Sequence, residues 1–161
     1  MKEKTLITTL FTVLLIVLAG CEPKPQPIQF GSDQGDYCRM MITEPQFASQ
    51  TLNQQGRAFK FDSIECMAAH AMTADNPENF HSHWVPNFTN PDEWLQAEEA
   101  YFLHSETLRS PMGIYLSAYA DRETAEEFRQ EYGGQIVTWN EVKEIVHAEW
   151  LAGNGNGQHM H

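Results

Sequence analysis

Arg57-Ala58-Phe59-Lys60-Phe61-Asp62-Ser63-Ile64-Glu65-Cys66-Met67-Ala68 decides the reading of the fold. Arg57 to Phe61 has the short, aromatic-rich look of a strand. Asp62-Ser63-Ile64-Glu65 then has the form of a helix N-cap followed three residues later by Glu. Ile64, Met67, Ala68 and Ala71 recur at helical spacing, so the helix is expected to run to about Met72. The stretch is a strand end, a cap and an amphipathic helix in succession.

The same order recurs at Trp139-Asn140-Glu141-Val142-Lys143-Glu144-Ile145-Val146, with Asn140 in the capping place. Upstream, Met40-Met41-Ile42 aligns with Met112-Gly113-Ile114. The two offsets differ, and an extra helix at 121–132 absorbs the difference. This predicts an α+β fold, a single domain of two pseudo-repeated strand–strand–helix (ββα-type) units. In this alignment Met40 and Met112 hold equivalent places.

Between these anchors, Tyr37 to Thr43 reads as a short strand and Asp75 to Asp92 as a loop rich in Pro, Asn and His. Ala100 to Ser105 and Gly113 to Ala120 read as strands, the latter alternating Ile114, Leu116 and Ala118 with Tyr115, Ser117 and Tyr119. Asp121 caps a helix through Tyr132, Gly133-Gly134 stops it, and Gln135 to Trp139 forms a last strand. Val142, Ile145, Val146 and Trp150 share the buried face of the final helix. These apolar positions are enough for a core that forms without metal.

The first residues are of another kind. Lys2 and Lys4 precede an apolar run from Leu6 to Leu18, which ends in Leu18-Ala19-Gly20-Cys21. This is the layout of a signal peptide. As a helix, Thr5 to Gly20 would rise only ~24 Å, short of the ~30 Å hydrocarbon core. Leu-Ala-Gly-Cys also resembles the bacterial lipobox, whose cysteine becomes the lipidated first residue. The expected organisation is a signal peptide over 1–20, lipidated Cys21 and a flexible, proline-stiffened tether over 21–35, a domain over 36–152, and a flexible tail over 153–161 that ends in His159-Met160-His161. The chain is then held by lipid on a bacterial membrane, its domain facing the periplasm or the exterior.

The full chain carries 22 acidic and 10 basic residues, a formal charge of −12; losing Lys2, Glu3 and Lys4 takes it to −13. Such a surface repels nucleic acid. No Gly-x-Ser-x-Gly, phosphate-binding glycine loop, Cys-x-x-Cys or His-Glu-x-x-His is present, so the chain does not read as an enzyme or a zinc module. Asp62 and Glu65 read as capping residues.

Soft ligands carry the sharpest signal. If Tyr37 to Thr43 is a strand, Cys38 and Met40 project to one side and set a thiolate beside a thioether. Met112, flanked by Pro111 and Gly113, is displayed on a turn. Such sulfurs favour cuprous copper over hard cations. Met41, His83 in His81-Ser82-His83, and the tail residues His159 and His161 are auxiliary candidates. In an extracytoplasmic compartment Cys38 and Cys66 can form a disulfide; the rival reading, which the helix pattern favours, leaves Cys66 a buried free thiol and Cys38 a free thiolate.

At these residues the chain resembles the NosL family, lipoproteins that serve as copper chaperones for nitrous oxide reductase. The resemblance lies in the lipobox, Tyr37-Cys38-Arg39-Met40-Met41-Ile42, Lys60-Phe61-Asp62 leading into a helix, Ser110-Pro111-Met112-Gly113, Ala125-Glu126-Glu127-Phe128, and Gly133-Gly134-Gln135-Ile136-Val137-Thr138-Trp139. It spans about residues 36–147. It implies a Cu(I) site that uses Cys38, Met40 and Met112. It implies as partner nitrous oxide reductase, its membrane maturation transporter, or both. A periplasmic thiol or redox protein using Cys38, or a copper carrier for a different client, is the alternative.

Overall fold

The computed structural model describes residues 23–152. Strands β1 (Ser49–Asn53) and β2 (Ala58–Phe61) form an antiparallel pair, and helix α1 (Ile64–Thr73) follows directly. A single 3-10 turn, Pro77–Asn79, leads into β3 (Phe80–Asn87) and β4 (Asn90–Gln96). The second half holds β5 (Tyr101–His104), β6 (Leu116–Tyr119), α2 (Arg122–Tyr132), β7 (Gln135–Val137) and α3 (Trp139–Val146), closed by a π turn at His147–Leu151. The strands form two antiparallel sheets, ordered β2-β1-β3-β4 and β6-β5-β7. The result is a single α+β domain with three helices and two sheets.

The two ββα units are present, in a different register from the one expected. In each half the first strand is flanked by the second on one side, and by the strand following the helix on the other. Thus β1-β2-α1-β3 corresponds to β5-β6-α2-β7. Ala58–Phe61 falls on Leu116–Tyr119, and the cap Ser63 falls on the cap Asp121. The counterpart of α1 is α2, not α3. Met112 lies in the β5–β6 connection and Met40 precedes β1, so the two methionines are not equivalent by the repeat. A strand end, a cap and a helix occur three times among the described residues, and sequence pattern paired the wrong two.

Caps also fall one or two residues from their expected places. Ser63, not Asp62, is extended (φ −152°, ψ 162°) and accepts from the Cys66 amide. Thr138, not Asn140, caps α3 and closes a capping box with Glu141. The expected loop at 75–92 is largely sheet. Its polar residues are satisfied inside the sheet: His83 Nδ1 is 2.9 Å from Thr51 Oγ1, Asn87 donates to Glu93 and Trp84 to Ser82. A strand with partners of this kind lacks the apolar alternation that sequence reading looks for.

The main core lies between α1, α3 and both sheets, and includes Phe61, Ile64, Met67, Val85, Phe102, Leu116, Trp139, Val142 and Val146. Successive residues of β5 serve different sides. Phe102 joins this core, while Leu103 joins Tyr119, Ala125 and Phe128 under α2. The stretch expected as a flexible tether is fastened to the domain from Gln26 onward. The Gln26 amide donates to Gln50 Oε1, and Gln50 Nε2 donates back to the Gln26 carbonyl. Lys60 Nζ reaches both the Pro27 carbonyl and Asp33. Among the described residues no helix is long and apolar enough to cross a membrane.

Candidate metal centre

Cys38 sits on a turn, not a strand. The Gly35 amide bonds to the Met40 carbonyl, Arg39 N–H bonds back to Gly35, and Arg39 takes the left-handed φ of 59°. That conformation breaks strand alternation, so Cys38 and Met40 are not paired by a shared strand face. Asp36 lays the turn on edge strand β2: its amide donates to the Lys60 carbonyl and its carboxylate accepts from the Lys60 amide. Gly35 faces Asp62 closely: a Cβ there would meet Asp62 Oδ1 at 3.4 Å, in van der Waals contact.

The turn sets half-buried Cys38 against the first turn of α1, where its sulfur is bonded to Cys66, with Cα atoms 6.3 Å apart. The expectation of a buried free thiol at Cys66 is corrected by this bond. In the bonded state Cys38 is likewise not a thiolate. Asp62 lies beside the pair, 3% exposed, and its Oδ1 has no hydrogen-bond partner. Burial pushes its carboxyl above the usual range, against a smaller opposing backbone hydrogen bond. Among the described residues, Cys38, Asp62 and Cys66 form a group whose ligand atoms lie within 4.8 Å of one another.

Met112 is half-buried on a turn, as expected, and packs against the same core as Cys38 and Cys66. Gly113 (φ 85°) shapes that turn, and the Tyr115 amide closes it on Ser110 Oγ. Ser110 in turn donates to Glu65, the residue before Cys66. Glu65 is wholly buried. Burial pushes its carboxyl upward, opposed by hydrogen bonds from Ser110, its own backbone, Ser63 and Leu116. It is a brace between α1 and the Met112 turn, not a capping residue.

The remaining candidates lie elsewhere. Met40 and Met41 project into solvent, 53% and 51% exposed. His83 is in β3, among Phe80 and Trp139, bonded to Thr51. Burial first, then Lys143 and His70, brings its pKa down to about 4. It is outside the group formed by Cys38, Asp62 and Cys66. His70 packs among Tyr37, Phe59, Phe61 and Phe80. Cys21, His159 and His161 lie outside the described residues. Sequence reading raised the Cys38–Cys66 bond only as the less favoured alternative, and missed Asp62 as a neighbour of the pair. The run Ile64 to Ala69 is buried throughout, and Cys66 lies within the main core as well as against Cys38.

Chemically, the centre offers two sulfurs and a carboxylate oxygen in a buried niche, with a thioether-bearing turn braced to the same helix end. The family model described as NosL matches residues 27–147. The copper-binding lipoprotein NosL of Stutzerimonas stutzeri is 27% identical over 172 residues, covering 95% of this chain and 88% of that protein. The crystal structure of the copper chaperone NosL from Shewanella denitrificans superposes with a TM-score of 0.68 at 18% identity, over 75% of this chain and 96% of that one. At that identity the second likeness speaks for the fold.

Proposed function

The chain belongs to the NosL family, and on that premise we propose that it is an extracytoplasmic lipoprotein that binds Cu(I) and delivers it for assembly of nitrous oxide reductase. One observation carries the copper reading. The turns bearing Cys38 and Met112 are both fastened to consecutive residues of α1, the first through Cys66 and the second through Ser110 to Glu65. A thiol and a thioether far apart in sequence are thereby tied to one helix end. Once Cys38 is reduced, thiolate and thioether suit a soft monovalent cation that tolerates low coordination. Met40, exposed on the Cys38 turn, is the third ligand in this reading. Met41, His83, His159 and His161 are auxiliary donors. Copper is cargo here, and exposed methionines allow a partner to take over ligands one at a time.

The lipidated Cys21 keeps the domain at the membrane surface, where the acceptor is nitrous oxide reductase, its maturation transporter, or both. The test is Cu(I) competition against a chromophoric chelator, on the reduced chain. About one copper per chain is expected, since the ligands form a single set. Cys38→Ala should lose tight binding, because it removes the thiolate of the site. A reduced chain that cannot withdraw copper from the chelator would overturn the reading. Loss of metal on cutting the chain after Gly153 would move the site to the tail histidines.

The Cys38–Cys66 bond favours a second reading, a thiol–disulfide exchange protein. Disulfide reductase or isomerase turnover without copper uptake would select it.

A further inference from the structure

Cys66 has no part in the ligand set argued above, yet it is the residue bonded to Cys38. We infer that Cys66 is a second thiolate of the copper site and that the Cys38–Cys66 bond gates it, so that the chain takes up Cu(I) only after a dithiol has opened the bond. This rests on the copper reading just given and adds to it a ligand and a condition.

Three observations carry it. The two sulfurs are already in place, held by the β2-bound turn on one side and by the capped start of α1 on the other. Opening the bond therefore yields two neighbouring thiols on elements that are each anchored independently of it. Second, a disulfide sulfur has no anionic lone pair to offer, so the bonded state withholds the strongest copper donor of the site. Third, Asp62 Oδ1 is buried beside the sulfurs without a partner. A disulfide has no proton to donate, whereas a thiol has one. Opening the bond thus puts a donor within 4.8 Å of an acceptor that the oxidised state leaves orphaned.

The step balances. A dithiol reductant passes two electrons and two protons to the Cys38–Cys66 bond. It becomes a disulfide itself, by way of a mixed disulfide, and two thiols are left in the chain. Cu(I) then replaces the thiol protons and binds both sulfurs, with no change in its own oxidation state.

The experiment compares the full chain in three forms, against a chromophoric Cu(I) chelator. These are the oxidised chain, the chain reduced by dithiothreitol and freed of it without air, and Cys66→Ala. The reduced parent should bind Cu(I) at least about tenfold more tightly than the oxidised one. Cys66→Ala should ignore redox pretreatment and bind about tenfold or more weakly than the reduced parent. Proton release on loading the reduced parent in weak buffer gives a readout that needs no variant. About two protons per copper are expected if both cysteines ligate, and about one if Cys38 acts alone. An oxidised chain that binds as tightly as the reduced one overturns the gate. Cys66→Ala matching the reduced parent, with one proton released, removes Cys66 from the site and leaves the Cys38 reading standing. A reduced parent that binds no Cu(I) at all means that the copper reading itself has failed.

Discussion

Glu65 and Ser110 meet in the interior, 45 residues apart in sequence, with the serine hydroxyl donating to the glutamate carboxylate. This contact joins the start of α1 to the turn that displays Met112. It sits one residue from Cys66, so the bracing of the thioether turn and the bonding of the Cys38 turn are adjacent on the helix. Ser110 also accepts from the Tyr115 amide, at 2.9 Å. Its hydroxyl therefore serves both ends of the Met112 turn.

Ser110→Ala should destabilise the domain by about 1–3 kcal/mol, the range for leaving a buried polar group without its partner. It should also loosen the Met112 turn and weaken Cu(I) binding with Met112 still present. Glu65→Gln keeps an acceptor for the serine and should cost less than Glu65→Ala. Urea unfolding at fixed pH gives the stabilities, and chelator competition gives the affinities. Parent-like stability in Ser110→Ala would remove the brace from the account.

How much of this was legible beforehand differs from place to place. Helix existence was, because Ile64, Met67 and Ala68, like Val142 and Val146, repeat at helical spacing and are buried. The β6 alternation also was: Leu116 and Ala118 face the main core while Tyr119 faces α2. Asp62 misled because Asp and Ser are both good caps, and only backbone geometry selects Ser63. The hairpin of β3 and β4 was hidden because His83, Asn87 and Ser82 find polar partners within the sheet. At the site, Cys38 and Met112 stood out by their flanking residues. Cys66 was visible only as a possible disulfide partner, and Asp62 not at all, because nearness to Cys38 is tertiary and leaves no mark in local spacing.

Gly133 and Gly134 make a paired prediction. A Cβ on Gly134 would lie 2.1 Å from the His104 carbonyl oxygen and 2.9 Å from Ser105, against a backbone φ of 93°. Strand β7 pairs with β5 at that point, so neither side can give way. Gly134→Ala should cost about 3 kcal/mol or more, or prevent folding. Gly133 has open space around its would-be Cβ and ends α2 at φ 71°. Gly133→Ala meets no neighbouring atom and bears only the backbone strain of φ 71°, ψ −166°, a region that favours glycine, so it should cost about 1–3 kcal/mol, less than Gly134→Ala. Comparable midpoints for the two variants in thermal melts would contradict the packing drawn here.

Methionine substitutions separate ligation from packing. Met112 is half-buried against the core, so Met112→Leu should cost less than about 1.5 kcal/mol. Met40 is 53% exposed, and Met40→Leu should leave stability within about 0.5 kcal/mol of the parent. A drop in Cu(I) affinity in either variant, with the fold intact by circular dichroism, would therefore report a lost thioether ligand. If both retain parental affinity in the reduced chain, the thioether part of the site is wrong.

His83 supplies a pH dependence. Half-buried against Phe80 and Trp139, it has a folded-state pKa of about 4, below the ordinary 6.5. Neutral imidazole is the form the fold accepts. The stabilisation from this group is therefore complete above pH 6.5 and is lost as pH falls toward 4, because the unfolded chain binds the proton first. The pKa difference sets an upper bound of about 3 kcal/mol on the loss. His70, also lowered chiefly by burial, contributes in the same direction. Asp62 and Glu65 act oppositely: their raised carboxyls contribute stability at low pH that is lost as pH rises through their folded-state values. The raw curve mixes these effects, so the measurement is a difference between the parent and His83→Gln, unfolded in urea from pH 7.5 to 4. The glutamine amide can still bond to Thr51 but does not titrate in this range. The parent's advantage over the variant should shrink as pH falls below 6.5. A difference that stays constant over that range would mean that His83 charges without penalty, and that the aromatic niche around it is more open to water than its burial implies.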